Sequence, residues 1–245
     1  MSKIIVITGA GMGLGRALAR RFAGDGESVV LLGRTASKVQ VVAEELGNGA
    51  MGVGCDVASP ESVREAFRVI AARHPRIDVL INNAAIFEPF RVVNASDEQI
   101  LGAVAINLAG PMLCVRSAVP MMGRGAHIIN VTSESVGMTM PHLSVYQSSK
   151  AGLERFSSSL YHELEPDGIR VSNVRAGAMF EEGKTWDVDP AAAAEFHQAA
   201  AAAGIDLRKR PISQFNSVTG VFRTLIDLPA DLSAEMICLH ARALQ

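Results

Sequence analysis

The stretch that decides the fold is IIVITGAGMGLGRALARRF, residues 4–22. Ile4 to Ile7 is a short β-branched run of the kind that fills a buried strand. Leu14, Ala17, Leu18 and Phe22 recur at helical spacing, so a helix begins directly after it. Between the two lie Gly9, Gly11, Gly13 and Gly15. Glycines at a strand-to-helix turn let the backbone bend tightly and bring free N–H groups close to an anion at the helix N-terminus. The familiar G-x-G-x-x-G spacing is absent, because Leu14 or Arg16 would have to be glycine; the pattern is T-G-x-x-x-G-x-G. A tight turn that binds nothing is the alternative reading of this run alone.

Outward from that unit the same rhythm repeats. Apolar runs at Val29 to Leu32, Met51 to Cys55, Ile77 to Ile81, His127 to Val131 and Ile169 to Val174 alternate with segments of helical period. Such alternation predicts an α/β protein with a parallel sheet. Ser59-Pro60 offers a cap and a first-turn proline ahead of Val63, Ala66, Phe67 and Ile70, and Ser96 with Gln99 resembles a capping box. No linker, repeat or charge run divides the chain, so residues 1–245 read as a single domain. The rhythm breaks at GAMFEEGKTWDVDP, residues 177–190, which leads into an alanine-rich helix; a substrate lid over about 177–210 is the expectation. A helix around Asn216 to Leu228 and a strand around Glu235 to Leu239 follow.

The 245 residues are 49% hydrophobic and 20% charged with a net charge of −2, which gives no electrostatic reason to expect nucleic acid or an anionic membrane as partner. Cys55, Cys114 and Cys238 form neither a disulfide framework nor a metal motif, and the six histidines show no metal spacing. The opening residues contain no signal-peptide core, so a cytoplasmic location is expected.

A dinucleotide site commonly carries an acidic residue for ribose hydroxyls, or an arginine for a 2′-phosphate, about twenty residues past the glycines. This chain has Gly33-Arg34-Thr35 there, a guanidinium with no carboxylate beside it. NADP is therefore favoured, with NAD the alternative.

Taken in order, TGAGMGLG, CDV at 55–57, INNAA at 81–85, INLAG at 106–110, NVTS ending at Ser133, and YQSSK at 146–150 resemble the short-chain dehydrogenase/reductase family. The thirteen-residue interval from Ser133 to Tyr146 matches the family's spacing too. The resemblance implies a three-layer, doubly wound, Rossmann-like sheet of about seven strands and a catalytic tetrad of Asn107, Ser133, Tyr146 and Lys150. It also implies cofactor contacts from Gly9, Gly11, Met12, Gly13, Leu14, Gly15, Arg34, Thr35, Asp56, Val57, Asn83, Ala84, Ala85, Tyr146, Lys150 and Gly177. Asp56 and Val57 would lie at the adenine, and Asn83 and Ala84 along the adenosine ribose.

Tyr146 and Lys150 are four apart and share one helix face. Lowering a phenol from a pKa of about 10 by two to three units takes roughly 3 to 4 kcal/mol, which one cation at about 4 Å can supply. Tyr146 would then exchange a proton with a substrate carbonyl or hydroxyl while Ser133 holds the substrate oxygen. By resemblance, Lys150 also holds the nicotinamide ribose and Asn107 anchors a relay water.

Three features depart from the family: Ala85 stands where glycine is usual, Ala176-Gly177 where Pro-Gly is usual, and Glu181 where a threonine contacts the carboxamide. The ending LHARALQ lacks the glycine-rich tail of the family's tetramers, so a homodimer packed near Asn107 and Tyr146 is expected, with a tetramer the alternative. Phe87, Phe90, Met138, Met140, Met179, Phe180 and Trp186 suit an apolar carbonyl or alcohol of some bulk, while Glu134, Glu181 and Glu182 are either ligands for substrate hydroxyls or solvated loop carboxylates. His142 reads as a loop residue. Two rival functions use the same motifs: a nucleotide-binding sensor or scaffold without turnover, and an epimerase or dehydratase.

Overall fold

A computed structural model describes residues 2–180 and 188–243. Strands β1 (Ile4–Thr8), β2 (Ser28–Gly33), β3 (Met51–Gly54), β4 (Val79–Asn82), β5 (His127–Ser133), β6 (Arg170–Ala176) and, at the end of the chain, Met236–Cys238 form one seven-stranded sheet. Its order is β3-β2-β1-β4-β5-β6 followed by the last strand, and every pairing is parallel. Two further strands, β7 (Met179–Phe180) and β8 (Ser213–Gln214), pair with each other outside that sheet, so the last strand is β9.

The strands alternate between two cores, which is why they read as continuous apolar runs. Ile5, Ile7, Val29 and Leu31 face one side and pack with α1 (Gly13–Gly24), α2 (Ala36–Leu46) and α8 (Phe215–Ile226) through Leu18, Phe22, Val39 and Phe222. Val6, Val30, Leu32 and Ile128 face the other and pack with α3 (Pro60–Arg73), α5 (Gly110–Ala118) and α6 (Ser144–Leu164) through Val63, Phe67, Ile70, Cys114 and Leu160. Phe22 and Phe222 are fully buried, a burial that contributes about 1.5–3 kcal/mol for each side chain. The three-layer doubly wound architecture is thus as the motifs imply.

Capping chemistry sets the helix starts. Ser59 accepts from Ser62 N ahead of Pro60, and the full capping box of Ser96 and Gln99 opens α4 (Asp97–Val104). From Asp97 to Met121 the chain is almost continuously helical, but Ala105–Ala109 forms a π-helical turn that re-aims the residues around Asn107. The alanine-rich stretch forms α7 (Pro190–Ala202), opened by Asp189. Because the chain moves outward from β1 to β3 and then returns across β1 to β4, the strand order reverses between β1 and β4. A crevice forms at the carboxyl ends of the strands beside that reversal, the place where open α/β sheets hold ligands.

Candidate active site

The glycine turn closes this crevice. Gly9 and Gly13 adopt φ of +66° and +56°, conformations that glycine reaches without strain. A methyl on Gly15 would lie 2.4 Å from the Gly9 carbonyl oxygen, so packing within the protein requires that glycine. Gly11 differs, since a Cβ there would meet only Lys38 and Val39 at 3.5 and 3.6 Å, ordinary contact distances. Nothing in the protein excludes a side chain at Gly11. Met12, the residue that caps α1, offers no side-chain oxygen, and the first turn holds no acidic residue. The helix therefore presents its leading N–H groups and positive dipole end without a built-in acceptor, as a dinucleotide pyrophosphate requires.

Thr8, the residue that heads the glycine pattern, welds the crevice: its Oγ1 accepts from Asn83 N and Ala84 N, both at 3.0 Å. The Asn83 amide donates to Thr8 O at 3.0 Å and Gly9 O at 3.4 Å, so this side chain is spent on bracing the turn. Arg34 and Thr35 are exposed just past β2. Lys38, one turn into α2, is a second exposed cation whose stem lies against Gly11; only the fold brings it there. Asp56 follows β3, with its carboxylate accepting from Ala58 N at 3.0 Å. Val57 is buried against Gly110, where an added Cβ would come within 3.0 Å.

At the other end of the crevice, β5 and α6 deliver Ser133, Tyr146 and Lys150 into one cleft of about 530 Å³. The Tyr146 phenol and Ser133 line the cleft together, and Ser133 Oγ accepts from Ser135 N at 3.2 Å and donates to Ser135 Oγ at 2.9 Å. Phe87 meets the Tyr146 ring edge-on with centroids 4.9 Å apart. Lys150 is buried and donates to Val131 O at 2.9 Å. Burial lowers its pKa to about 8.

Two expectations are revised here. Tyr146 is not poised low by Lys150: burial raises the phenol above its ordinary value, and the Ser133 hydroxyl offsets this only in part. Asn107 lies behind the cleft wall, fully buried, with Oδ1 accepting from Ile86 N at 2.9 Å and Nδ2 donating to Ile86 O and to Ser149 Oγ. Ser149 Oγ in turn donates to Tyr146 O at 2.7 Å, so the Asn107 amide steadies the first turn of α6.

Leu14, Asn83, Ala85 and Gly177 share the cleft with Ser133, Tyr146 and Lys150. Phe87, Met140, Leu143, Met179, Phe196 and Phe215 give it an apolar lining. Phe90 and Met138 do not line it. Phe90 N is tied to His142 O in a loop where His142 takes φ of +63°, and Met138 packs behind, on Met140 and Leu143. Met179, Phe196, His197, Leu207 and Arg210 come from the segment expected to be a lid and form the cleft's outer wall. Glu181, Glu182 and Trp186 lie outside the described residues, as does the side chain of Phe180. Glu134 is not a solvated carboxylate; it bonds Ala178 N, Arg210 and His240.

Residues 3–184 match the family model described as short chain dehydrogenase. Carbonyl reductase family member 4 from Danio rerio is 35% identical over 181 residues, which cover 73% of this chain and 76% of that protein. A probable chlorophyll(ide) b reductase, chloroplastic, from Oryza sativa subsp. japonica is 34% identical over 200 residues; the match takes in 71% of this chain but only 40% of the longer plant protein. Among solved structures, an alcohol dehydrogenase from the archaeon Thermococcus sibiricus, complexed with 5-hydroxy-NADP, superposes with a TM-score of 0.82 at 24% identity, covering 98% of this chain and 97% of that one. A metagenomic short-chain oxidoreductase in complex with NADP gives 0.78 at 24% identity and 99% of both chains. With its motifs in order on a doubly wound sheet, this chain belongs to the short-chain dehydrogenase family of oxidoreductases.

Proposed function

We propose that the protein is an NADP(H)-dependent reductase of bulky apolar ketones or aldehydes, with Tyr146 as the proton donor. The observation that carries this reading is the meeting of Ser133, Tyr146 and Lys150 in an apolar cleft continuous with Leu14 at the uncapped end of α1. The glycine turn, Arg34, Thr35 and Lys38 would hold the phosphates and adenosine, with Asp56 and Val57 at the adenine and Ala84, Ala85 and Gly177 along the path to the cleft. When bound, the nicotinamide supplies the hydride. Ser133 holds the substrate carbonyl oxygen, and Tyr146 transfers its phenolic proton to that oxygen as negative charge gathers there, leaving an alcohol. A phenol whose pKa lies above its ordinary value is protonated at neutral pH, the form that reduction uses. Lys150, held on Val131 O in the same cleft, would supply the cation that faces the phenolate left behind. The relatives that carry reductase names and the NADP held by two structural neighbours support this reading.

The chain would act in the cytoplasm as a homodimer. Leu101, Val104 and Met112 remain exposed on a helical run, Asp97–Met121, whose mean hydropathy reaches 1.5. A second copy would cover that face, next to Tyr146.

Cofactor choice is tested by titrating NADPH and NADH into wild type, Arg34→Ala and Lys38→Ala while following the melting temperature. Binding to the folded chain raises Tm by linkage. NADPH should bind wild type more tightly than NADH, and each substitution should weaken NADPH about ten-fold, the scale of one phosphate-bound cation, while leaving NADH unchanged. Equal responses to both nucleotides in all three proteins would remove the assignment of the phosphate site.

A further inference from the structure

Glu134, the residue directly after Ser133, gathers three partners from three separate parts of the chain. Its Oε1 accepts from Ala178 N at 3.2 Å and from the Arg210 guanidinium at 2.5 Å, and its Oε2 accepts from His240 Nδ1 at 3.0 Å. The carboxylate side chain is only 11% exposed, and that of Arg210 27%, so this pair is shielded from water far more than a surface bridge. Ala178 leads into β7, Arg210 precedes β8, and His240 follows β9; Ser213 N also donates to Ala178 O at 3.0 Å.

The stretch that needs this support is Ala176-Gly177-Ala178. It contains no proline ring to fix φ, and Gly177 is glycine because a Cβ there would lie 2.8 Å from Leu239 O. Both Gly177 and Ala178 line the cleft, as do Met179, Leu207, Arg210 and Ile212 beyond them. Arg210 points its charge at Glu134, so within the cleft it works as a tether.

We infer that Glu134 is a positioning residue whose carboxylate seats the outer wall of the cleft against the Ser133 turn. Substrate grip depends on this three-way junction, and the proton-transfer groups do not. The inference rests on reading the cleft as the substrate pocket.

The test uses the full chain with Glu134→Gln, Arg210→Met, the double variant and Arg210→Lys. The Glu134→Gln substitution keeps the shape of the side chain and removes its charge. With NADPH and acetophenone, each single variant should raise KM about ten-fold while kcat stays within about three-fold. The double variant should be no worse than the singles by more than about two-fold, since two partners in one junction do not add, and Arg210→Lys should recover most of the loss. Amide exchange in Pro190–Ala202 and Ser213–Gln214 should quicken in Glu134→Gln without a change in NADPH affinity. Unchanged KM and exchange in Glu134→Gln, or multiplying effects in the double variant, would overturn the inference. Turnover retained in Tyr146→Phe would instead remove the catalytic reading, and the exchange measurement would still decide whether Glu134 seats the wall.

Discussion

The two edges of the central sheet are built to opposite rules. At the amino edge the chain ties its polar groups together across elements. Arg223 bonds Glu27 and Asp227, Asp78 accepts from Ile4 N at 2.7 Å, and Arg170 donates to Leu228 O at 3.0 Å. At the carboxyl edge around the glycine turn and the cleft, the chain keeps what would normally be relieved: a helix start without a side-chain cap, exposed cations at Arg34 and Lys38, and a buried Lys150. One edge stabilises the fold, and the other is held ready for a ligand at the expense of stability. Substitutions should therefore divide by edge.

The largest stability effect belongs to the amino edge. Among the described residues, Arg223→Met leaves Glu27 with only Lys3 N and Asp227 with only Lys3 Nζ, and should lower the unfolding free energy by about 2 kcal/mol in urea titration, while kcat/KM is unchanged. A loss of turnover without a loss of stability would break the division.

His127, also at this edge, is buried with Nε2 on Ser172 and Nδ1 lacking a partner among the described residues. Burial, aided by nearby Arg170, lowers its pKa to about 3. Between an unfolded value of about 6.5 and that folded value, the unfolded chain takes up a proton that the native chain refuses. Stability supplied by the neutral ring is thus complete above about pH 6.5 and falls at about 1.4 kcal/mol per unit as pH drops towards 3. In His127→Gln that increment of slope should disappear from stability measured between about pH 6.5 and 4.

The smallest effect has the opposite sign. Lys150 is protonated at neutral pH against the pull of burial, and its folded pKa of about 8 lies below the unfolded value of about 10.5. The charged form costs stability below about pH 8, and that cost fades as pH rises towards about 10.5. Lys150→Met should stabilise the protein at about pH 7 by about 1–2 kcal/mol after the lost bond to Val131 O is counted, and should raise Tm by about 3–6 °C. The gain should shrink at about pH 9.5, and activity should be lost. A drop in Tm would mean that Lys150 is part of the scaffold.

How much of this the sequence discloses follows the same divide between local and long-range causes. The strand-turn-helix unit at residues 4–22, the Ser59 and Ser96 caps and both faces of the sheet are local patterns, and all are legible. The cleft's membership from Ser133 to Lys150 is legible because one strand end and one helix turn carry it. Strand ends shift by a residue or two, as with Ile77 to Ile81 against Val79–Asn82, since hydrogen bonding to neighbours decides where a strand begins. The β7–β8 pair is not legible, because each strand is two residues long and its partner lies more than thirty residues away. Nor is the upward shift of the Tyr146 phenol, which comes from burial. Lys38 and Glu134 acquire their surroundings only when α2, β7 and the tail converge.

The chemistry proposed for the cleft turns on Tyr146 as the proton donor. Its most direct test is steady-state reduction of acetophenone by NADPH in wild type and Tyr146→Phe, with NADPH affinity measured in both. In Tyr146→Phe kcat/KM should fall by about 10³–10⁴ with NADPH affinity unchanged. Turnover equal to wild type would contradict it.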